Sequence, residues 1–261
     1  MTPVGVITGS GSEELELEAR RLELVETPFG AVEVARGTLA GVEVLHVSRH
    51  GSGHVRLSSG VEHRANVLAL KDAGARCAVG LTICGSVDPQ LAPGTLVVFD
   101  ELFFPANRLA DGSLCTLYTE PGDPLRGHWI FDAPFAHSVR AALTGCGVAL
   151  RDGGCYGHVD GPRFNSRSEI RVLAAAGVDA VSQTGGPETV LAGEAELPYA
   201  LVGYVTDYAN GVAAEPTPVE ELTRHMHASR AAFVALLEAA LPVLAAVAHG
   251  PAGLVFRWQR S

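Results

Sequence analysis

The apolar residues of this chain fall into two alternating kinds of run, and that alternation limits the fold more than any other feature. Short β-branched stretches at residues 4–8, 42–47 and 96–100 read as strands, and the segments between them carry helical periodicity. Such a pattern predicts an α/β chain in which a central mixed, twisted β-sheet is flanked by helices. Residues 62–74 set Val67, Leu68 and Leu70 near Lys71 and Asp72 ahead of Gly74, which predicts an amphipathic helix closed by a glycine cap and leading into a strand at 77–82. Two later helix starts carry capping-box signatures: Ser166-Arg167-Ser168-Glu169, and Thr217-Pro218-Val219-Glu220 with proline at the first helical position.

A chain of 261 residues, 47% of them hydrophobic, can bury a substantial core as one domain spanning residues 1–261. Residues 103–134 are rich in Pro, Gly and Asp and nearly aperiodic, an excursion that carries function or a subunit contact, with its variable part at 103–128. The Ala/Leu-rich run at 231–248 contains Glu238 and Pro242 and reads as a packed helix. No apolar stretch is long enough to cross a bilayer, and the N-terminus lacks the basic region of a signal peptide. The net charge of -10 disfavours nucleic acid and anionic membranes as partners, so an anionic ligand must be gripped locally. Cys77, Cys84, Cys115, Cys146 and Cys155 are odd in number and form no CxxC pair, which suits a reducing cytoplasm better than a disulfide framework or a zinc site.

Five segments carry residues suited to chemistry. Gly9-Ser10-Gly11 follows a strand and offers amides and a hydroxyl to a phosphate, or is a tight turn; it lacks the third glycine of a dinucleotide fingerprint and the ending of a P-loop. Arg49-His50-Gly51 ends another strand, where a guanidinium grips two oxygens of an oxyanion and a histidine donates a third hydrogen bond, unless Arg49 merely pairs with a surface carboxylate. A metal reading of His50 with His54 lacks a completing carboxylate. Thr82, Ile83, Cys84, Gly85 and Ser86 close a third strand with a hydroxyl and backbone amides at the edge where open α/β sheets bind ligands; Cys84 is a packing residue. Phe164, just before a helix start, could stack on a heterocycle or belong to the core, and Thr184 could face phosphate or simply cap a helix. Asp207 ends a strand at 199–205, where a partly buried carboxyl can protonate a purine at N7 or accept from a 6-amino group.

Taken in order, these segments resemble the trimeric purine nucleoside phosphorylase and methylthioadenosine phosphorylase family. The matches are the Gly9-Ser10-Gly11 loop, Arg49-His50-Gly51, residues 66–71 with Gly74, residues 82–86 followed by Pro93-Gly94, residues 161–164 with Glu169, and residues 187–207. The resemblance implies that Ser10, Arg49, His50, Thr82 and Thr184 hold phosphate with the Ile83 backbone beside it. It implies that Gln183, at a position usually methionine, lies against the ribose, that Phe164 packs on the base with Asn165 next to it, and that Asp207 reaches N7 and the 6-substituent. Val219 and Leu222 match the apolar wall of a 5′ pocket, and His128 matches a histidine lent by a neighbouring subunit of a homotrimer. His50 and Asp207 carry the catalytic roles, and neither a metal nor a cofactor is implied beyond inorganic phosphate as co-substrate.

The reaction so implied is phosphorolysis of 5′-methylthioadenosine or a related 5′-modified adenosine. An aspartate at 207 favours a 6-amino over a 6-oxo base, since an ionised carboxylate only accepts. Ala209 replaces the second aspartate usual in the methylthioadenosine class, and 102–108 lacks its Asp-Arg-Thr run. The alternatives are a 6-oxopurine or 5′-methylthioinosine phosphorylase and, in a different class, a non-catalytic nucleotide-binding module.

Overall fold

The run Val4–Thr8, buried along its whole length, forms strand β1 in a computed structural model that describes residues 2–10, 14–118, 125–129 and 133–258, with backbone alone at 125–129 and 257–258. A hairpin follows in β2 (Glu18–Thr27) and β3 (Gly30–Leu39), then β4 (Val42–Ser48), helix α1 (His63–Asp72) and β5 (Ala78–Ser86). Short strands β6 (Leu96–Val98), β7 (Glu101–Phe103) and β8 (Leu125–Trp129) precede α2 (His137–Thr144), β9 (Arg151–Asp152) and β10 (Cys155–His158). The chain continues through α3 (Arg167–Ala175), β11 (Ala180–Ser182), α4 (Gly185–Glu194), β12 (Tyr199–Tyr208), α5 (Val219–Ala246) and β13 (Leu254–Trp258).

Among the described residues, eleven strands form one mixed sheet with β5 as its hub. Strand β12 runs parallel to β5 along its whole length. The other edge of β5 is shared: parallel β1 pairs with Ala78, Val79 and Gly80, and antiparallel β11 pairs with Gly85 and Ser86. Between those partners the edge at Leu81, Thr82, Ile83 and Cys84 is split. A crevice at the carboxyl ends of strands, where neighbouring connections diverge, is where open α/β sheets bind ligands.

Helices cover both faces. On one, Phe233, Leu236, Leu237, Leu241 and Leu244 of α5 pack with Val4, Val6, Val79, Val98 and Val202 of the sheet. By length and composition alone α5 could cross a membrane, contrary to the expectation that no apolar stretch is long enough, while the reading of the 231–248 run as a packed helix holds, since its apolar face packs on the sheet. On the other face α1 and α4 pack with Ile7, Leu45 and Leu201. The small beginning of α4 makes this fit: a Cβ on Gly185 would come within 2.6 Å of Leu201 and one on Gly186 within 2.6 Å of His158.

The predicted helix at 62–74 is α1, and Gly74, at φ +95°, takes the left-handed position after its end. Ser166 makes its capping box with Glu169. The Thr217 box does not form. Pro218 is the N-cap of α5, and the Thr217 hydroxyl instead accepts from the Tyr208 amide at 3.3 Å, tying the helix start to the end of β12. Part of the 103–128 excursion is held by Arg64, whose guanidinium donates to the carbonyls of Thr116 at 2.7 Å and Leu114 at 2.6 Å.

Candidate active site

The split edge of β5 opens into a cavity of roughly 270 Å3. Apart from the middle of β5, most of the walls are strand or helix ends, so the lining residues come from well-separated stretches of sequence. Ser10 follows β1, Arg49 and His50 follow β4, and Thr82, Ile83, Cys84 and Gly85 are β5 itself. Phe164 and Asn165 precede α3, Gln183 and Thr184 join β11 to α4, Asp207 and Ala209 end β12, and Leu222 comes from the first turns of α5. Of the residues singled out in the sequence, these all line one cavity. Val219 does not: it is 71% exposed at the first residue of α5, beyond the rim, and Leu222 and Met226 form the helical wall in its place. Gly11 and the side chain of His128 lie outside the described residues.

Arg49 is 1% exposed, and its guanidinium is more heavily engaged than a free anion clamp. Nε donates to Oε1 of Glu188, Nη2 donates to Oε2 of the same carboxylate at 2.8 Å, and Nη1 donates to the Leu81 carbonyl at 3.0 Å. That last bond satisfies a backbone acceptor where β5 lies between its two edge partners. Three of the five guanidinium donors are thus used within the protein, and two remain for the cavity. The carboxylate partner is buried on α4, not on the surface. Glu188 falls within the matched stretch 187–207, yet nothing in the spacing pairs it with a residue 139 positions away.

His50 departs from its expected role as a donor. Its Nδ1 lies 3.0 Å from the Arg56 carbonyl, which can only accept, and this assigns the proton to Nδ1. Burial, reinforced by the Arg49 charge, holds the ring pKa down to about 4. At neutral pH the ring therefore presents a lone pair at Nε2.

Beside these, Thr82 and Thr184 are buried at 4% and 5% exposure. The Thr82 hydroxyl lies 3.1 Å from the Ile83 carbonyl and 3.3 Å from the Ser182 hydroxyl. Thr184 is the N-cap residue of α4 but makes no side-chain capping bond. Cys84 sits in the wall with its thiol pKa raised by burial, which leaves it a poor nucleophile.

At the far end, a register shift between Val205 and Asp207 interrupts the pairing of β12 with β5. Oδ1 of Asp207 accepts from the Thr206 hydroxyl at 2.7 Å, and burial lifts the carboxyl above its ordinary pKa. Phe164 stands at the rim, 72% exposed, close to Asn165, whose carbonyl accepts from Asn210 at 2.8 Å. Gln183 is fixed by two bonds, accepting from Ser58 at 2.9 Å and donating to the Arg163 carbonyl at 3.3 Å. Ser58, Ser182, Asn210 and Met226 are lining residues that sequence reasoning missed; of these only Met226 carried a signal, its i+4 spacing from Leu222.

Among the described residues no cluster of three His, Cys, Asp or Glu side chains could hold a metal ion. Hydroxyls, a guanidinium and a buried carboxyl thus line one slot. The chain belongs to the phosphorylase superfamily, whose profile matches residues 3–242. It is 39% identical over 213 residues to the S-methyl-5′-thioadenosine phosphorylase of Mycobacterium tuberculosis, covering 81% of this chain and 77% of that one. It is 31% identical over 253 residues to the 6-oxopurine nucleoside phosphorylase of Pyrococcus furiosus, covering 94% of each. Among solved structures, the methylthioadenosine phosphorylase of Schistosoma mansoni in complex with adenine superimposes with a TM-score of 0.83 at 26% identity, over 95% of this chain and 93% of that one.

Proposed function

We propose that this enzyme is a pentosyltransferase that cleaves 5′-methylthioadenosine, or a closely related 5′-modified adenosine, with inorganic phosphate to give adenine and 5-methylthioribose 1-phosphate. The observation that carries the reading is that Arg49, Thr82, Thr184 and Asp207, from four separate stretches of sequence, line one cavity. Phosphate sits among Ser10, Arg49, His50, Thr82 and Thr184, and the lone pair of His50 Nε2 accepts from the P–OH of the dianion. One phosphate oxygen bonds to C1′ as the C1′–N9 bond breaks, and the bonding pair leaves with the purine. Asp207, whose carboxyl is held above its ordinary pKa by burial, takes up a proton from solvent as the nucleoside binds, gives it to N7, and regains one as the sugar phosphate loses its own. The phosphate charge below C1′ stabilises the ribosyl cation formed on the way, a reaction that draws on no metal or cofactor.

Leu222 and Met226 supply an apolar wall that favours a methylthio group over a hydroxyl by about 1 to 3 kcal/mol. Assembly into a homotrimer, with His128 of each subunit lent to its neighbour's 5′ pocket, belongs to the same proposal. So does residence in the cytoplasm, which suits five free thiols.

A second reading, action on 6-oxopurine nucleosides, is favoured by the similarity to the Pyrococcus furiosus phosphorylase along nearly the whole chain. One experiment separates the readings: base release from 5′-methylthioadenosine, adenosine, inosine, guanosine and 5′-methylthioinosine, with and without phosphate. The proposal requires phosphate-dependent release fastest from 5′-methylthioadenosine. Preference for inosine or guanosine selects the second reading, phosphate-independent release indicates a hydrolase, and binding without turnover a nucleotide-binding module.

A further inference from the structure

Glu188 is wholly buried and does not line the cavity, yet it governs the residue that does. Among the described lining residues Arg49 is the sole permanent cation. The three histidines nearby add no charge at neutral pH, because burial holds His50 near a pKa of about 4 and His63 and His158 near about 3. Arg49 is therefore the one formal positive charge among the described lining residues, and Glu188 offsets it at hydrogen-bond distance through two guanidinium N–H groups.

The arrangement around this carboxylate is built in detail. Tyr199, buried on β12, donates its phenol proton to Oε2 at 3.0 Å. Gly80 of β5 makes room for that phenol, since a Cβ there would collide with the Tyr199 oxygen. Burying a charged pair is costly, and apolar residues of similar volume would fill the space at less cost. The pair therefore calls for a reason other than packing.

A dianion bound beside an uncancelled guanidinium would be held tightly, with much of its charge spent before the sugar begins to ionise. Binding that is equally strong in ground and transition states lowers KM without raising kcat. A guanidinium already neutralised still offers two directed N–H groups for orientation, and leaves the phosphate charge to be answered by the cation that develops at C1′. We propose that Glu188 is a positioning residue that fixes the Arg49 fork and balances its charge, so that phosphate is oriented without being neutralised. This rests on the phosphorolysis reading given above.

The test uses the full chain and inorganic phosphate. Glu188→Gln keeps the shape and removes the charge, so phosphate binding measured by calorimetry should tighten about tenfold while kcat falls tenfold or more and the nucleoside KM stays within a factor of two. Tyr199→Phe removes the proton donated to Oε2 and leaves the carboxylate more negative, so phosphate binding should weaken several-fold without loss of fold. A purely structural Glu188 predicts the opposite for Glu188→Gln, weaker phosphate binding, and that result overturns the proposal. If Glu188→Gln does not fold, unchanged phosphate affinity in Tyr199→Phe overturns it, and weakening there supports it. Wild-type protein that binds no phosphate at all overturns the functional reading as well; wild-type binding with the wrong sign in the variants overturns only the role of Glu188.

Discussion

Gly9 and Arg49 are in such close approach that a Cβ on Gly9 would run into Nη1 of the guanidinium. An arginine tip usually swings aside, but this one is held by Glu188 and by the Leu81 carbonyl and has nowhere to go. Gly9→Ala should therefore displace the anion-gripping group: the KM for phosphate rises tenfold or more, and the KM for nucleoside changes little. Equal effects on both, in steady-state kinetics with each substrate varied, would refute this.

The helical wall of the cavity separates two positions that the sequence puts together. Leu222→Ser or Met226→Ser should reduce discrimination between 5′-methylthioadenosine and adenosine by roughly tenfold, the effect of a methylene or two in an apolar pocket. Val219→Ser, on an exposed side chain outside that wall, should leave the ratio of kcat/KM values unchanged in the isolated subunit.

Asp207→Asn keeps the shape at the base end and removes the acid. Activity on 6-aminopurine nucleosides should fall by about 10^2 to 10^4-fold, the usual contribution of a positioned proton donor. Relative activity on inosine should rise, since an amide can donate to O6 where a carboxylate cannot. A panel of kcat/KM values for the variant decides it; an unchanged adenosine-to-inosine ratio would remove Asp207 from base recognition.

Acid should unfold the protein through its buried histidines. Burial holds His46 near a pKa of about 4 and His63 and His158 near about 3, all below the ordinary value of 6.5. Between pH 6.5 and those values the unfolded chain takes up protons that the folded chain refuses, so stability falls as pH drops through this window, by about 1.4 kcal/mol per pH unit for each proton taken up. Above pH 6.5 these residues contribute no slope. Thermal midpoints measured from pH 4 to 8 should fall on the acid side, and a flat profile there would contradict the assignment.

Much of this architecture was legible in the residues because short-range rules govern it. The β-branched run at 4–8 is β1 to the residue, Gly74 ends α1 as its freedom at positive φ requires, and Ser166 with Glu169 closes a capping box. The Thr217 signature misled because a tertiary partner, the Tyr208 amide, claims the hydroxyl that would have capped α5. Many of the lining residues were legible, since most of them end a strand or begin a helix, while Asn210 and Met226 do neither. What sequence could not show was how they are held. The Arg49–Glu188 pair spans 139 positions, the His50 proton is assigned by the Arg56 carbonyl, and Ser58 meets Gln183 across 125. Contacts of that reach follow from strand order, which no local pattern encodes.

The register shift in β12 has an evolutionary corollary. Side chains alternate across a strand, so the extra residue between Val205 and Asp207 decides which way the carboxyl faces. Loss of one residue there would turn the Asp207 carboxyl away from the crevice without touching Arg49, Thr82 or Thr184. On the proposed reading, the choice of heterocycle could shift through the last few positions of one strand, and the residues proposed to hold phosphate need never be rebuilt.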